Sequence, residues 1–405
     1  MMKIIPLTLL LFSWGLTSTS CVALAAQPLR VYILAGQSNM QGHAQVGTID
    51  HLAMDPKTTP LWKEMRDTDG TPRVLERVWI SSIGHDGTET ERHGKLTAGY
   101  GASGREPKIG PEFTFGITMQ KHVEQPILII KTAWGGKSLH TDFRPPSAGP
   151  YEFNQQQLDT FTKQGKDIEA IKAERAEATG RYYRLMIEHV RHVLQDPGRI
   201  VPDYDQDAGY QLAGFVWFQG WNDMVDGGAY PNRDQPGGYS QYSEVLAHFI
   251  RDVRQDLSAP ELPFVIGVMG VGGPVEQYGP DEQRYQNVHG EFRRAMAAPA
   301  AMPEFQESVT VVLTEKYWDS QLGELSKRWN QVNARSRALN QDQSLSDDER
   351  AQALDVFKSE LFSAEELKIL ETGKSNAEYH YLGSAKILGQ IGEAFANALV
   401  DMSHE

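Results

Sequence analysis

The sequence holds one cysteine, Cys21, among 405 residues, so no disulfide within the chain can staple the fold, which must rest on a buried core. No Cys/His set has metal-ligand spacing, and nothing in the sequence asks for a metal. Positive charge is in short supply: 39 Lys and Arg stand against 53 Asp and Glu, a net charge of −14 with a pI near 5.4. Nucleic-acid phosphates demand basic patches, so this balance argues against such a partner. Long apolar runs are missing too. The nearest, Ile4 to Leu16, is too short and interrupted to span a bilayer. There is no internal repeat and no low-complexity tract.

That N-terminal stretch reads instead as a secretory signal. Lys3 gives a positive start, Ile4 to Leu16 the apolar part, and Ala23-Leu24-Ala25 a small-residue cleavage site. Cleavage after Ala25 would discard Cys21 and leave residues 26–405 without a thiol. A lipoprotein would be anchored at Cys21, but Ser18-Thr19-Ser20 lacks the leucine such a site carries upstream. The expectation is a secreted or periplasmic protein with no membrane attachment after signal removal.

Apolar runs at Leu29 to Leu34, Pro126 to Lys131, Gly214 to Phe218, Pro263 to Val268 and Val309 to Leu313 are near-continuous rather than alternating. Strands buried on both faces of a parallel sheet read this way. Helical stripes lie between them: Tyr182, Leu185, Met186, His189, Val190 and Val193; Tyr242, Val245, Leu246, Phe249 and Val253; and Ile387 to Leu399 at the end. Alternating strands and helices predict an α/β protein, a three-layer α/β/α sandwich around a mainly parallel sheet. About 380 residues could make two domains, but candidate site segments at both ends favour one, with insertions near 137–180 and 340–374. The second insertion carries two capping boxes, Ser346 with Glu349 and Ser363 with Glu366. Residues 84–110 read as a long loop.

Four segments carry chemistry. Ala35-Gly36-Gln37-Ser38-Asn39-Met40 follows the first strand, where open α/β sheets place their ligands. Thr132-Ala133-Trp134-Gly135-Gly136-Lys137-Ser138 follows the second run, and its glycines let a main-chain N–H approach a ligand closely. Gln219-Gly220-Trp221-Asn222-Asp223 follows the third and offers a side-chain amide. Tyr379-His380-Tyr381 precedes the last helix. Taken singly, each has a plain alternative: Ser38 a helix cap, Gly135-Gly136 a tight turn, Asn222 an Asx turn. Their order along the chain is what points to a serine hydroxyl, a base and two oxyanion donors.

In that order the segments resemble the four blocks of the SGNH (GDSL-type) hydrolase superfamily. Within it they resemble the sialate O-acetylesterase and acetylxylan esterase group, whose members begin with G-Q-S-N-M. The resemblance implies Ser38 as nucleophile, Gly136 as backbone oxyanion donor, Asn222 as side-chain donor and His380 as base. It implies a carbohydrate O-acetylesterase working through an acyl-enzyme, with an acetylated carbohydrate as substrate and no cofactor. Gln37, Gln219 and Trp221 flank that site and are candidates to bind the sugar through amides and an aromatic face. A broader carboxylesterase, or an inactive carbohydrate-binding protein of the same fold, is the alternative.

One departure stands out. The superfamily places an aspartate three residues before the histidine, where this chain has Ala377. Glu378, an acid from another loop such as Glu315 or Asp319, or a backbone carbonyl supporting a Ser-His dyad could each orient His380. His43, five residues past Ser38, is a rival base or a substrate contact. His189 and His192 read as structural. Gly270 and Gly272 do not complete a dinucleotide-binding turn, because Pro274 and Val275 interrupt it.

Overall fold

A computed structural model describes residues 27–404. The expected signal, its cleavage site at Ala25 and Cys21 lie outside the described residues. Among the described residues nine strands occur, in the order β1 Leu29–Gly36, β2 Ala44–Gln45, β3 Val78–Ile83, β4 Arg92–Lys95, β5 Lys108–Ile109, β6 Ile127–Ala133, β7 Tyr210–Phe218, β8 Phe264–Val268 and β9 Val309–Leu313. Seven form one sheet in the order β4-β3-β6-β1-β7-β8-β9, and β2 pairs with β5 in a small second sheet. In the large sheet only the β3–β4 pair is antiparallel.

The expected α/β sandwich is present, and β7 shows why. Phe215 and Trp217 point to one side, against Phe249 of the helix Ser240–Asp256, at centroid distances of 6.0 and 4.3 Å. Phe218 points to the other, 5.3 Å from Phe395 of the helix Ala385–His404. Successive strand residues face opposite layers, so both faces need apolar side chains and the strand reads as a continuous run. Tyr32 likewise meets Phe115 of the helix Glu112–His122 on the second face. Among the described residues no helix is long and apolar enough to cross a membrane.

The winding positions the site. From β1 the chain goes to β3 and β6 on one side, then crosses to β7, β8 and β9 on the other. β1 is therefore flanked by the two strands between which the winding reverses, and ligand crevices open at such a switch point. The three strands end together: Gly36 is level with Ala133 of β6 and with Phe218 of β7. A Cβ at Gly36 would lie 2.1 Å from the Phe218 carbonyl oxygen, so only glycine lets the strands close this tightly.

Two regions depart from the expectation. Residues 84–110 are not one loop: they hold β4 and β5. The edge strand β4, Arg-His-Gly-Lys, buries no side chain fully, and an edge strand without an apolar face carries no periodic signal. β3 is missing from the expected strands because Ser81 and Ser82 break its run, although all six residues are buried. Both capping boxes after residue 340 are formed, at Ser346 and Ser363.

Candidate active site

Ser38 begins the short helix Ser38–Gln41 immediately beyond β1, and all four helix residues are buried. Ser38 is 7% exposed. Its N–H is the first of the helix and has no partner inside it, as helix geometry requires. The loop after β6 lies alongside. Trp134 N–H donates to the Gly36 carbonyl at 3.2 Å, and a Cβ at Gly135 would stand 3.8 Å from that of Ser38. Gly136 has φ +76, the left-handed region that glycine enters freely. Its N–H donates to no acceptor among the described residues. Asn222, in the helix Trp221–Val225 after β7, is half-buried, and its side chain makes no hydrogen bond among the described residues. Three donors, from Ser38, Gly136 and Asn222, thus stand uncommitted at the ends of three adjacent strands.

The two loops are tied together by Asp223, which the sequence reading did not single out. Fully buried, its carboxylate accepts from Leu139 N–H at 2.7 Å, His140 N–H at 3.0 Å, Gln219 Nε2 at 2.6 Å and Tyr230 Oη at 3.1 Å. The loop that carries Gly136 and the helix that carries Asn222 thereby share one anchor. A buried carboxylate with four donors is a stiff one.

His380 sits in the turn Glu378–Gly383, which packs against the serine helix. Beyond it Tyr381, Leu382 and Gly383 all have positive φ, at 51, 60 and 58. Two non-glycine residues in this region cost on the order of 1–2 kcal/mol each. The turn is held in spite of that. Leu382 N–H donates to the Ala377 carbonyl, Ser375 and Asn376 N–H groups both donate to the Leu382 carbonyl, and buried Tyr381 Oη accepts from Gly270 N–H at 2.9 Å.

The partner of His380 is Asn376. Its Oδ1 lies 2.9 Å from His380 Nδ1 and accepts the Ala377 N–H at 2.7 Å. An atom that accepts from a backbone N–H is the oxygen, so His380 carries its proton on Nδ1 and leaves Nε2 as the basic nitrogen. Glu378 does not take this place. Exposed, it makes no hydrogen bond to His380, and its charged neighbours are Glu282, Lys327, Lys374 and Glu324. Glu315 pairs with Arg293, while Asp319 caps the helix Ser320–Gln341 and holds Lys386 at 2.9 Å. Neither touches His380.

His43 lies flat on His380, ring centroids 3.9 Å apart and planes 3° from parallel. Both imidazoles are held neutral. Burial, then the neighbouring His380, Lys108 and Lys131, pushes His43 down to about 3; burial, then Lys108, pushes His380 down to about 4. No hydrogen bond joins His380 to Ser38, and catalytic hydrogen bonds often tighten only in the complex with substrate.

The candidate sugar contacts divide. Gln37 is fully buried with neither amide atom hydrogen-bonded. Gln219 is buried too, its amide taken by the Lys137 carbonyl, Asp223 and Tyr242. Trp221 is half-exposed and meets Tyr379 at 5.6 Å, and Tyr379 in turn meets His380 at 4.5 Å. Tyr379, 43% exposed, extends the aromatic rim. Two cations nearby are already engaged: Arg144 donates to the His140, Ala148 and Gly149 carbonyls and Lys137 covers the Tyr182 ring. His189 is structural, its Nε2 2.9 Å from Ser81 Oγ. Among the described residues no three His, Cys, Asp or Glu side chains are placed to hold a metal.

Residues 28–303 match the family model described as carbohydrate esterase, sialic acid-specific acetylesterase. No curated protein sequence matches the chain. Among solved structures, one of a protein from Arabidopsis thaliana is similar at 14% identity and a TM-score of 0.38, over 71% of this chain and 86% of that one. Another, described as a novel carbohydrate acetylesterase from Xanthomonas citri, is similar at 13% identity and a TM-score of 0.36, over 70% of this chain and 49% of that one.

Proposed function

The chain belongs to the carbohydrate esterase family of sialic acid-specific acetylesterases, and from that premise we propose that it removes O-acetyl groups from a sugar through a serine acyl-enzyme, outside the cytoplasm. The observation that supports this reading most is that Ser38 and the uncommitted donors of Gly136 and Asn222 follow the level ends of three adjacent strands at one switch point of the sheet. Ser38 Oγ attacks the ester carbonyl while His380 Nε2 takes its proton. The N–H groups of Ser38 and Gly136 and the Asn222 amide hold the oxyanion. His380 then protonates the departing sugar hydroxyl, and water hydrolyses the acetyl-enzyme with His380 again as base.

Asn376 orients His380 on this reading, from one position before the Ala377 that stands where the superfamily pattern has an aspartate. A neutral amide fixes the tautomer but does not stabilise the imidazolium as a carboxylate would. The half-exposed Trp221 and Tyr379 rings supply the apolar face on which a sugar ring stacks. Acetate release from O-acetylated sialic acid, acetylated xylan and a p-nitrophenyl ester tests the assignment. The expected result is a higher kcat/KM on an acetylated sugar than on the aryl ester. Equal or better turnover of the aryl ester would favour a general carboxylesterase.

The pH profile follows from the His380 environment. The base must be neutral to act, so kcat/KM rises with pH through the His380 pKa and levels above it. With that pKa held down at about 4, the acid limb falls well below the range of an unperturbed histidine, roughly 6.5. Asn376→Asp places a carboxylate beside Nδ1, favours the imidazolium, and is expected to shift the limb upward by about one unit or more. A limb unmoved by this substitution would mean that residue 376 does not face the titrating base.

A further inference from the structure

We infer that His43 is a positioning residue for the base: its imidazole, locked by Gln41, is the flat wall that fixes the plane of the His380 ring and keeps solvent from that face. This rests on the reading of Ser38 and His380 as nucleophile and base, and adds to it a residue just past the chain's first block.

The geometry carries it. Gln41 Nε2 donates to the Gly84 carbonyl at 2.6 Å, which turns Oε1 toward His43 Nε2, 3.3 Å away. His43 is therefore the Nε2–H tautomer, and its buried Nδ1 has no partner. The ring does not rotate freely, because flipping it would break the Gln41 contact. Its backbone is fixed as well. β2, which begins at Ala44, pairs with β5, and Gln45 N–H donates to Ser375 Oγ at 3.0 Å. That hydroxyl donates to the Gly383 carbonyl at 2.7 Å. Ser375 precedes Asn376, so one connected network holds the His43 wall and the turn that it supports.

Asn376 grips His380 at a single atom, leaving the ring free to swing about that bond. A parallel ring at 3.9 Å removes the swing on one side. The charged groups around the stack act in the same direction. Lys108 on β5 and Lys131 on β6 both disfavour a proton on His43, although the Lys131 ammonium is largely answered by Glu112 at 2.7 Å. Two stacked imidazoles cannot both be charged cheaply, so a neutral His43 leaves the single proton of the catalytic cycle to His380.

The test compares His43→Ala and His43→Phe on acetate release from an acetyl ester across pH, with folding checked by near-UV circular dichroism. Alanine is expected to lower kcat by about 10- to 100-fold with KM within about twofold, the scale of a misplaced catalytic group. By admitting water to the exposed face it also moves the acid limb up toward the ordinary histidine value. Phenylalanine restores the flat wall without a ring nitrogen and is expected to recover most of kcat and the low acid limb. Should the alanine variant fail to fold, His43→Leu, which fills the volume without a flat face, takes its place. Wild-type kcat and pH profile in the alanine or leucine variant would overturn the proposal. So would a phenylalanine variant as inactive as His380→Ala, which would put a His43 nitrogen into the chemistry. Failure of the underlying reading is seen separately, as activity retained in His380→Ala whatever residue 43 does.

Discussion

Ser38→Ala is expected to lower kcat on an acetyl ester by about six orders of magnitude, His380→Ala by about as much, and the double variant by no more than either alone. Nucleophile and base act as one unit, so removing the second after the first costs nothing further. What survives is the binding and oxyanion stabilisation from Gly136 and Asn222, on the order of 10³–10⁴ over water. The fold should not notice the serine substitution. Ser38 Oγ takes part in no hydrogen bond, and the helix it opens is held by main-chain bonds from Gln41 N–H to the Gln37 carbonyl and Gly42 N–H to the Ser38 carbonyl. A change in unfolding free energy within about 0.5 kcal/mol is therefore expected. Acetate release under single-turnover conditions, with denaturant unfolding of the same preparations, reads both quantities. Turnover near the wild-type level in Ser38→Ala would remove the serine mechanism and leave the family membership without this chemistry.

How far the sequence could be read depended on how local each constraint was. The placement of Ser38, Gly136 and Asn222 was legible because each follows a near-continuous apolar run, and a strand end fixes the place of the next few residues. The sandwich was legible for the same reason: β1, β6 and the second half of β7 are buried on both faces and read as near-continuous runs. Asn376 was not legible. It meets His380 in a turn closed by Tyr381, Leu382 and Gly383 in left-handed conformations, which no propensity would assign to tyrosine and leucine, and the superfamily spacing pointed to Ala377 and Glu378 instead. His43 showed as a rival base from its nearness in sequence, while its stack on His380 depends on packing across the whole length of the chain. Gln37 and Gln219 looked like sugar contacts because amides often are. One lies unbonded in the interior and the other serves Asp223.

Asp223 is where the least legible residue is expected to have the second largest effect. Its backbone partners lie 84 and 83 residues upstream, at Leu139 and His140, so no local pattern could reveal the clamp. Asp223→Ala leaves four buried donors without their acceptor. An unsatisfied buried group costs about 1–3 kcal/mol, and even with partial relaxation a loss of at least about 3 kcal/mol of stability is expected, read as a lower denaturation midpoint. Asp223→Asn is the sharper variant. One of its two ends must be an NH₂ group, and it then faces either Leu139 N–H and Gln219 Nε2 or His140 N–H and Tyr230 Oη, so at least one donor meets another donor. Because the loop carrying Gly136 and the helix carrying Asn222 meet at this carboxylate, both substitutions should also loosen the oxyanion donors. The expected fall in kcat is about 10²–10³-fold, the scale of losing one such donor, with the smaller change in KM. An Asp223→Asn enzyme with wild-type kcat and reduced stability would confine the clamp to holding the fold. A fall in kcat in folded protein, measured well below the unfolding midpoint, makes Asp223 the residue through which two distant loops are brought to bear on one ester carbonyl.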